Sequence, residues 1–456
     1  MIYSVSMTED TSAILENHLL KSDGQEDACF CLWNKSEGQK RYTGILKLPI
    51  IPTEEQRTVR GSVQIFDDFF LETLRIAKEK NMGIALLHSH PFGRGWQELS
   101  NNDKIAERYY SSRVLAVTGF PLIGLTLSGD RIWSARYWIR IGKRVFKAIE
   151  TENVRLVGPN FKVNFNEKIK PAPDVSDSQI RTVSAWGEKV QADLSRLRIG
   201  IVGAGSVGTI VGEAVSRMGV QELHIIDYDT IETLNLDRLL FTSKRDVGKS
   251  KVNNLKKVIT RSHTSKKFLC KILKESVATE EAIRDLIDCD IIFSCVDRHL
   301  ARSVLNYIAY VHLIPVIDGG VLINVSNDNQ MKSGTVGALV SMPGRICLEC
   351  SGQYDSGLVS VDRDGYLDKL EYIEGLPKND VLAKRENVIV FSLAASSFEL
   401  LQLISMIVRP KGIGTLGNLS YDVATGTLDQ DFKGCNSMCF YPKIVGKGDN
   451  YNTRPF

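Results

Sequence analysis

Two histidines spaced one residue apart close an apolar run, Leu86-Leu-His-Ser-His-Pro91, in a chain of 456 residues. If that run is a strand, alternate side chains share a face, so His88 and His90 point the same way and could grip one metal ion. Ten residues beyond His90, Ser100-Asn-Asn-Asp103 reads as the start of a helix. Ser100 would cap that helix and Asp103 would lie one turn on, close to it in space. Two imidazoles and a carboxylate leave the fourth position of a tetrahedral zinc ion open to water, as a catalytic rather than a structural ion requires. Glu26, opening an expected strand over 26–34, is the candidate general base.

A second set of residues suits a nucleotide. Arg198-Ile-Gly-Ile-Val202 reads as a buried strand, and Gly203-Ala-Gly-Ser-Val-Gly208 follows at once. Gly203, Gly205 and Gly208 would let backbone approach a phosphate or nucleotide at the N-terminus of the next helix. The following strand, Leu223-His-Ile-Ile226, ends at Asp227, where an acid can hold ribose hydroxyls. This much fits a nicotinamide dehydrogenase as well as an ATP enzyme. The next residues choose between them: Asn235-Leu-Asp-Arg238 and Gly248-Lys-Ser-Lys251 bring Arg238 and Lys251 close behind the ribose acid. Displacing pyrophosphate from ATP needs fixed cations against growing phosphate charge, whereas hydride transfer has no evident need of them. Ile291-Ile-Phe-Ser-Cys-Val-Asp297 reads as a further strand ending in a carboxylate suited to Mg²⁺. Cys347-Leu-Glu-Cys350 and Cys435-Asn-Ser-Met-Cys439 fit a closed Cys₄ zinc site.

The elements that must position these groups divide into two parts. Apolar residues make up 43% of the chain and charged residues 24%, the balance of a folded globular protein of two or three domains. A net charge of +3 gives no strong attraction to nucleic acid or acidic membrane, so neither is an expected partner. No run approaches 18 consecutive apolar residues, and Thr8-Glu-Asp10 falls where a signal peptide would need an apolar stretch, so a cytoplasmic protein is expected. Nine unevenly spaced cysteines do not make a disulfide framework. Strands are expected at 26–34, 43–50, 83–90, 114–117, 123–127 and 132–137, with a helix over 66–80. A Pro-rich, polar stretch marks a linker over 161–180, between a first domain (1–160) and a second (181–456) in which strand, glycine turn and helix alternate as in a parallel α/β sheet.

The first set resembles the JAMM (JAB/MPN) metallopeptidases, whose pattern is an upstream Glu, then His-x-His-Pro, then Ser-x-x-Asp. The resemblance implies an α/β metallopeptidase domain in which His88, His90 and Asp103 bind zinc, Glu26 activates water and Ser100 supports the tetrahedral intermediate. One departure stands out: nine residues (Pro91–Leu99) separate His90 from Ser100, where the family usually has seven. The second set resembles the ubiquitin-activating superfamily with its bacterial ThiF/MoeB/HesA branch, from about Arg181 to Cys439. That implies a Rossmann-like, doubly wound adenylation domain with a Cys₄ zinc site (Cys347, Cys350, Cys435, Cys439). Gly203, Gly205 and Gly208 would line ATP, Asp227 would bind ribose, and Asn235, Arg238 and Lys251 would contact phosphates. Asp297 would bind Mg²⁺, and Arg181 matches the arginine that reaches the partner's ATP in family homodimers. Leu239 stands where the family usually has Gln.

The expectation is therefore a fusion that processes a ubiquitin-like protein with zinc and adenylates its C-terminus with ATP and Mg²⁺, beside a conjugating enzyme and by analogy in phage defence. Family enzymes that carry their substrate as a thioester keep a cysteine between the two Cys pairs, and residues 351–434 have none. Transfer would then pass directly from the acyl-adenylate or through a hydroxyl such as Ser351, Ser356 or Ser360. Two alternatives remain: activation of a sulfur carrier, and a first domain that docks the substrate without cleaving it.

Overall fold

The computed structural model describes residues 1–60, 63–326, 328, 330–366, 386–451 and 456. The chain divides into two compact units. The first is Met1–Pro171 with Val311–Leu313 and a segment beginning at Ile444; the second runs over Ala172–Tyr310 and Ile314–Lys443.

In chain order the first unit contains β1 (Ile2–Thr8), α1 (Glu9–Leu19), β2 (Ala28–Glu37), β3 (Arg41–Ile50) and a small hairpin, β4 (Arg57–Val59) with β5 (Val63–Ile65). Next come α2 (Asp67–Glu79), β6 (Gly83–His90), α3 (Asn101–Thr118), β7 (Leu122–Ser128), β8 (Trp133–Gly142), β9 (Val145–Glu150), β10 (Asn153–Val157) and β11 (Phe161–Phe165). Nine of these strands form one mixed sheet in the order β11-β10-β1-β3-β2-β6-β7-β8-β9. Its central strands are apolar on both faces, as a sheet covered on both sides must be. Cys29, Cys31, Trp33, Ala85 and Leu87 pack with Leu15 and Leu19 of α1 on one face. Phe30, Leu32, Ile84 and Leu86 pack with Phe69, Phe70 and Leu74 of α2 and Tyr110 and Val114 of α3 on the other. The two-residue period continues from Ile84 and Leu86 to His88 and His90, so both histidines share the face that carries α3.

Three expectations change. Val114–Val117, read as a strand, is the last turn of α3. A short apolar run does not distinguish strand from buried helix; here the Ser100 cap and a left-handed Gly119 fix the helix at both ends. The strand expected to open at Glu26 begins at Ala28, leaving Glu26 on the preceding loop. Phe161–Phe165, placed in the linker, is an edge strand antiparallel to β10, and the boundary between units falls after Pro171.

One charge pair lies wholly inside this unit. Arg136 on β8 and Glu107 on α3 are each 1% exposed and pair side by side, Arg136 Nε donating to Glu107 Oε2 at 2.9 Å. Trp138 Nε1 donates to the same oxygen at 2.6 Å, and Arg136 Nη1 donates to Thr126 Oγ1 at 2.8 Å.

The second unit begins with α4 (Ile180–Trp186) and α5 (Glu188–Arg196), then β12 (Arg198–Val202), α6 (Ser206–Arg217), β13 (Glu222–Ile226), α7 (Lys251–Ser262), β14 (Leu269–Leu273), α8 (Glu280–Ile287) and β15 (Ile291–Ser294). It continues with α9 (His299–Val311), β16 (Val316–Val325), β17 (Met331–Ser341), α10 (Ser356–Arg363), α11 (Ile389–Val408), β18 (Asn418–Asp422) and β19 (Thr427–Asp431). The sheet order is β14-β13-β12-β15-β16-β17-β18-β19. Its first five strands are parallel and the last three extend it antiparallel. Chain direction across the sheet reverses between β12 and β15, the switch point at which open α/β sheets leave a crevice.

By length and composition α11 is apolar enough to cross a membrane, and half of it is buried. Its buried face is polar: Gln402 Nε2 donates to the carbonyls of Ala338 and Gly417 at 3.0 and 2.7 Å, and Ser396 Oγ donates to Ser392 O at 2.7 Å. The two Gln402 bonds tie it to β17 and the loop before β18 as a core helix.

Glu107→Ala is expected to lower the stability of the first unit by about 3–5 kcal/mol, because it leaves the Arg136 guanidinium buried and uncompensated. Chemical denaturation of the full chain checks this; an unchanged midpoint for the first transition would show the pair to be dispensable.

Candidate functional site

The end of β6 and the start of α3 bring three expected ligands together. His88 Nε2 lies 3.2 Å from His90 Nε2, while Asp103 Oδ1 is 3.7 Å from His88 Nε2 and Asp103 Oδ2 is 3.6 Å from His90 Nε2. Ligands on a tetrahedral zinc with bonds of about 2.0–2.1 Å are about 3.3 Å apart, so the three donors form one face of such a site. The fit is also chemical, since two imidazole nitrogens facing each other at this distance gain most from a cation between them. Burial, reinforced by the Arg136 charge, pushes His88 down to about 3, so it is a neutral imidazole with a lone pair to offer. Burial works to raise the Asp103 carboxyl, but the nearby His90 and His88 and the bonds from Ser100 hold it well below the usual carboxylate range.

Local chain chemistry aims Asp103. Ser100 Oγ accepts the Asp103 N–H at 3.1 Å, and Asp103 Oδ2 accepts the Ser100 N–H at 2.9 Å, a reciprocal capping box. Glu26 is half-buried, and its carboxyl is raised by burial and by Asp103, with His90 pulling the other way.

Sequence reasoning missed the residues that hold the Glu26 loop. Asp27 N–H donates to Ser89 Oγ at 3.0 Å, and Ser89 N–H donates to Asp27 O at 3.1 Å, so the neighbour of Glu26 is tied to the residue between the histidines. The Asp27 carboxylate in turn accepts Arg57 Nε at 2.7 Å, Arg57 Nη2 at 3.0 Å and Lys21 Nζ at 2.6 Å. Burial alone would raise this carboxyl; those cations keep it low and ionised. The only local signal was an Asp next to a Glu, because Arg57 lies thirty residues away in sequence.

In the second unit the expected nucleotide residues gather at the carboxyl ends of β12, β13 and β15. Gly203 adopts φ +93°, and a Cβ there would lie 2.3 Å from Cys295 O, so only glycine lets the turn pass β15 at the switch point. A Cβ on Gly208 would lie 1.8 Å from Gly203 O, whereas one on Gly205 would meet nothing within 4 Å. Gly205 thus faces open space at the N-terminus of α6, where backbone N–H groups favour an anion. Asp227 Oδ2 accepts the Ala204 N–H at 2.6 Å and Oδ1 accepts the Asp229 N–H at 2.8 Å, clamping the glycine turn to β13. Burial raises its carboxyl, with Lys251 opposing.

Lys251 Nζ pairs with Asp229 Oδ2 at 2.6 Å, and Arg238 Nη1 donates to Leu234 O at 2.7 Å and Asp237 Oδ1 at 2.8 Å. Asn235 Oδ1 accepts the Glu232 N–H at 3.0 Å. Asp297, expected to end a strand, lies three residues past Ser294 and is exposed on the loop after β15. Arg181 is exposed on α4.

Cys347, Cys350, Cys435 and Cys439 converge with their sulfurs within 4.8 Å of one another. Cys347 and Cys439 Sγ are 3.7 Å apart, close to the about 3.8 Å edge of a tetrahedron with 2.3 Å zinc–sulfur bonds. N–H groups donate to the sulfurs: Cys347 N to Cys435 Sγ at 3.2 Å, Cys350 N to Cys347 Sγ at 3.3 Å and Asn436 Nδ2 to Cys350 Sγ at 3.3 Å. Donors of this kind stabilise thiolates and suit a closed metal site. The remaining cysteines are buried or half-buried in packing positions, Cys295 with its thiol 3.5 Å from Glu399 Oε2.

The family model described as ThiF family matches residues 176–420. Ubiquitin-like modifier-activating enzyme 5 of Culex quinquefasciatus is 26% identical over 178 residues, covering 35% of this chain and 44% of that protein. Adenylyltransferase and sulfurtransferase MOCS3 of Aedes aegypti is 23% identical over 184 residues, covering 40% and 41%. The chain spans less than half the length of these curated relatives. Among solved structures, E. coli MccB with ATP aligns at 18% identity and a TM-score of 0.44, over 59% of this chain and 74% of that one.

Metal analysis of chain purified from zinc-replete cells is expected to find two zinc ions, with Cys347→Ser and His90→Ala each removing one. Wild-type chain free of zinc would contradict both metal assignments.

Proposed function

The chain belongs to the ThiF family, and from that premise we propose that its second unit adenylates the C-terminal carboxylate of a ubiquitin-like or sulfur-carrier protein. The observation that carries this is the glycine turn at the β12–β15 switch point, with Gly205 facing open space and Asp227 holding the turn. A carboxylate oxygen of the partner attacks the α-phosphorus of ATP as the bond to pyrophosphate breaks. Asp227 takes the ribose; Asn235, Arg238 and Lys251 meet the phosphate charge, Lys251 exchanging its Asp229 partner for phosphate. Mg²⁺, held at Asp297, would neutralise charge on the departing pyrophosphate. Arg181 would reach the nucleotide of a second copy in a homodimer.

The first unit is proposed to be a JAMM-type peptidase that trims or releases the same partner's tail. His88, His90 and Asp103 would hold zinc, which when bound supplies a polarised water and a Lewis acid. Glu26, raised by burial, takes the proton from the attacking water and passes it to the leaving amine. Ser100 would donate its hydroxyl proton to the developing oxyanion. One partner tail would then serve both activities, with a conjugating enzyme as the next acceptor and phage defence as a setting by analogy.

Sulfur-carrier activation is favoured by one observation, the absence of any cysteine over residues 351–434.

ATP–pyrophosphate exchange should depend on the added ubiquitin-like partner and fall at least about 100-fold in Asp297→Ala. Absence of exchange with the partner's C-terminal glycine exposed would sink the adenylation reading. Glu26→Gln is expected to slow cleavage of a tail-extended partner by about 10²–10⁴-fold at unchanged zinc content; equal rates would remove Glu26 from the chemistry.

A further inference from the structure

The Pro91–Leu99 loop is two residues longer than in the peptidases the first unit resembles. We propose that this loop sets the His90 tautomer, through Gln97, so that Nε2 presents its lone pair to the histidine–aspartate group. The inference rests on the metal-centre reading above and makes Gln97 a positioning residue rather than a catalytic one.

Gln97 Oε1 lies 3.3 Å from His90 Nδ1. Which end of the amide faces the ring follows from its other contacts. Gln97 Nε2 donates to Arg94 O at 2.8 Å and to Gly95 O at 3.1 Å, and two carbonyls can face only the NH₂ end. The oxygen is left for His90, so on the neutral ring the proton sits on Nδ1 and the Nε2 lone pair is free.

The loop that delivers this oxygen is itself anchored. Gln97 N–H donates to Ser134 Oγ on β8 at 2.6 Å. The Gly95 N–H is shared between the two carboxylate oxygens of Asp130 at 3.1 and 3.0 Å, and Gly129 N–H donates to Gly93 O at 3.0 Å. A Cβ at Gly93 would lie 2.4 Å from Gln97 Oε1, so Gly93 leaves the space the amide occupies. Arg94 and Gly95 supply the carbonyls that orient Gln97. The Pro91–Leu99 loop therefore builds an acceptor for His90 and orients it.

The test uses the full chain with ¹⁵N-labelled histidine, stripped of metal and held well above the imidazole range of pH, comparing wild type, Gln97→Met and Gln97→Glu. Wild-type His90 is expected as the Nδ1–H tautomer, and Gln97→Met should populate the Nε2–H form. Zinc affinity at this site, measured by chelator competition in the Cys347→Ser background, should fall about 10–100-fold in Gln97→Met and return in Gln97→Glu, which keeps the acceptor. An unchanged tautomer and unchanged zinc affinity in Gln97→Met would overturn the proposal. Wild type that keeps the Nδ1–H tautomer but binds no zinc at His88 and His90 would sink the metal-centre reading while supporting the role of Gln97.

Discussion

Backbone N–H and C=O groups inside a sheet are committed to their ladders, so a buried strand can offer chemistry only where the ladder stops. Both units are arranged around that constraint. In the first, β6 runs apolar through the core and ends in the two histidines, just where α3 begins on the same face. In the second, three neighbouring parallel strands end together, and their loops carry Gly203, Asp227 and Asp297. Free N–H groups at the start of α6 and carboxylates at the strand ends are thereby gathered without breaking a single ladder bond.

The interior then has to tolerate charge placed near these strand ends. Asp27 is almost fully buried yet stays ionised because Arg57 and Lys21 bracket it, and the same pairing locks the loop that carries Glu26. Arg136 is matched by Glu107 behind His88 and helps keep that histidine neutral. In the second unit the solution differs. Burial pushes the Glu399 carboxyl well above its ordinary value, next to an Asp318 that burial also raises and that accepts from Ser294 and Arg302. A neutral Glu399 can sit beneath the glycine turn against Cys295 and Gly319 where a charged one would be costly.

Residue types and the faces they occupy follow from the order of the chain alone. A two-residue period running into His-Ser-His requires both imidazoles on one side. Ser100 and Asp103 at a spacing of three dictate a capping box, and a glycine turn directly after a buried strand dictates the phosphate-facing loop. Two cysteine pairs 85 residues apart, counted from Cys350 to Cys435, were legible as one cluster because their chemistry is so specific. The weak points were local too: Val114–Val117 has the composition of a strand, and Phe161–Phe165 follows a turn that resembles a linker.

Which further groups complete each site depends on how the elements pack. Arg57 reaches Asp27 from a small hairpin, Arg136 reaches past Thr126 towards His88 from a different strand, and Gln97 turns back onto His90 because Ser134 and Asp130 hold its loop. Arg57 and Arg136 lie tens of residues from the groups they serve, and Gln97, seven past His90, stands on a loop rather than on a helix or strand shared with it. Periodicity fixes which way a side chain points, whereas what it meets there depends on how separate elements pack, and that is a property of the folded chain.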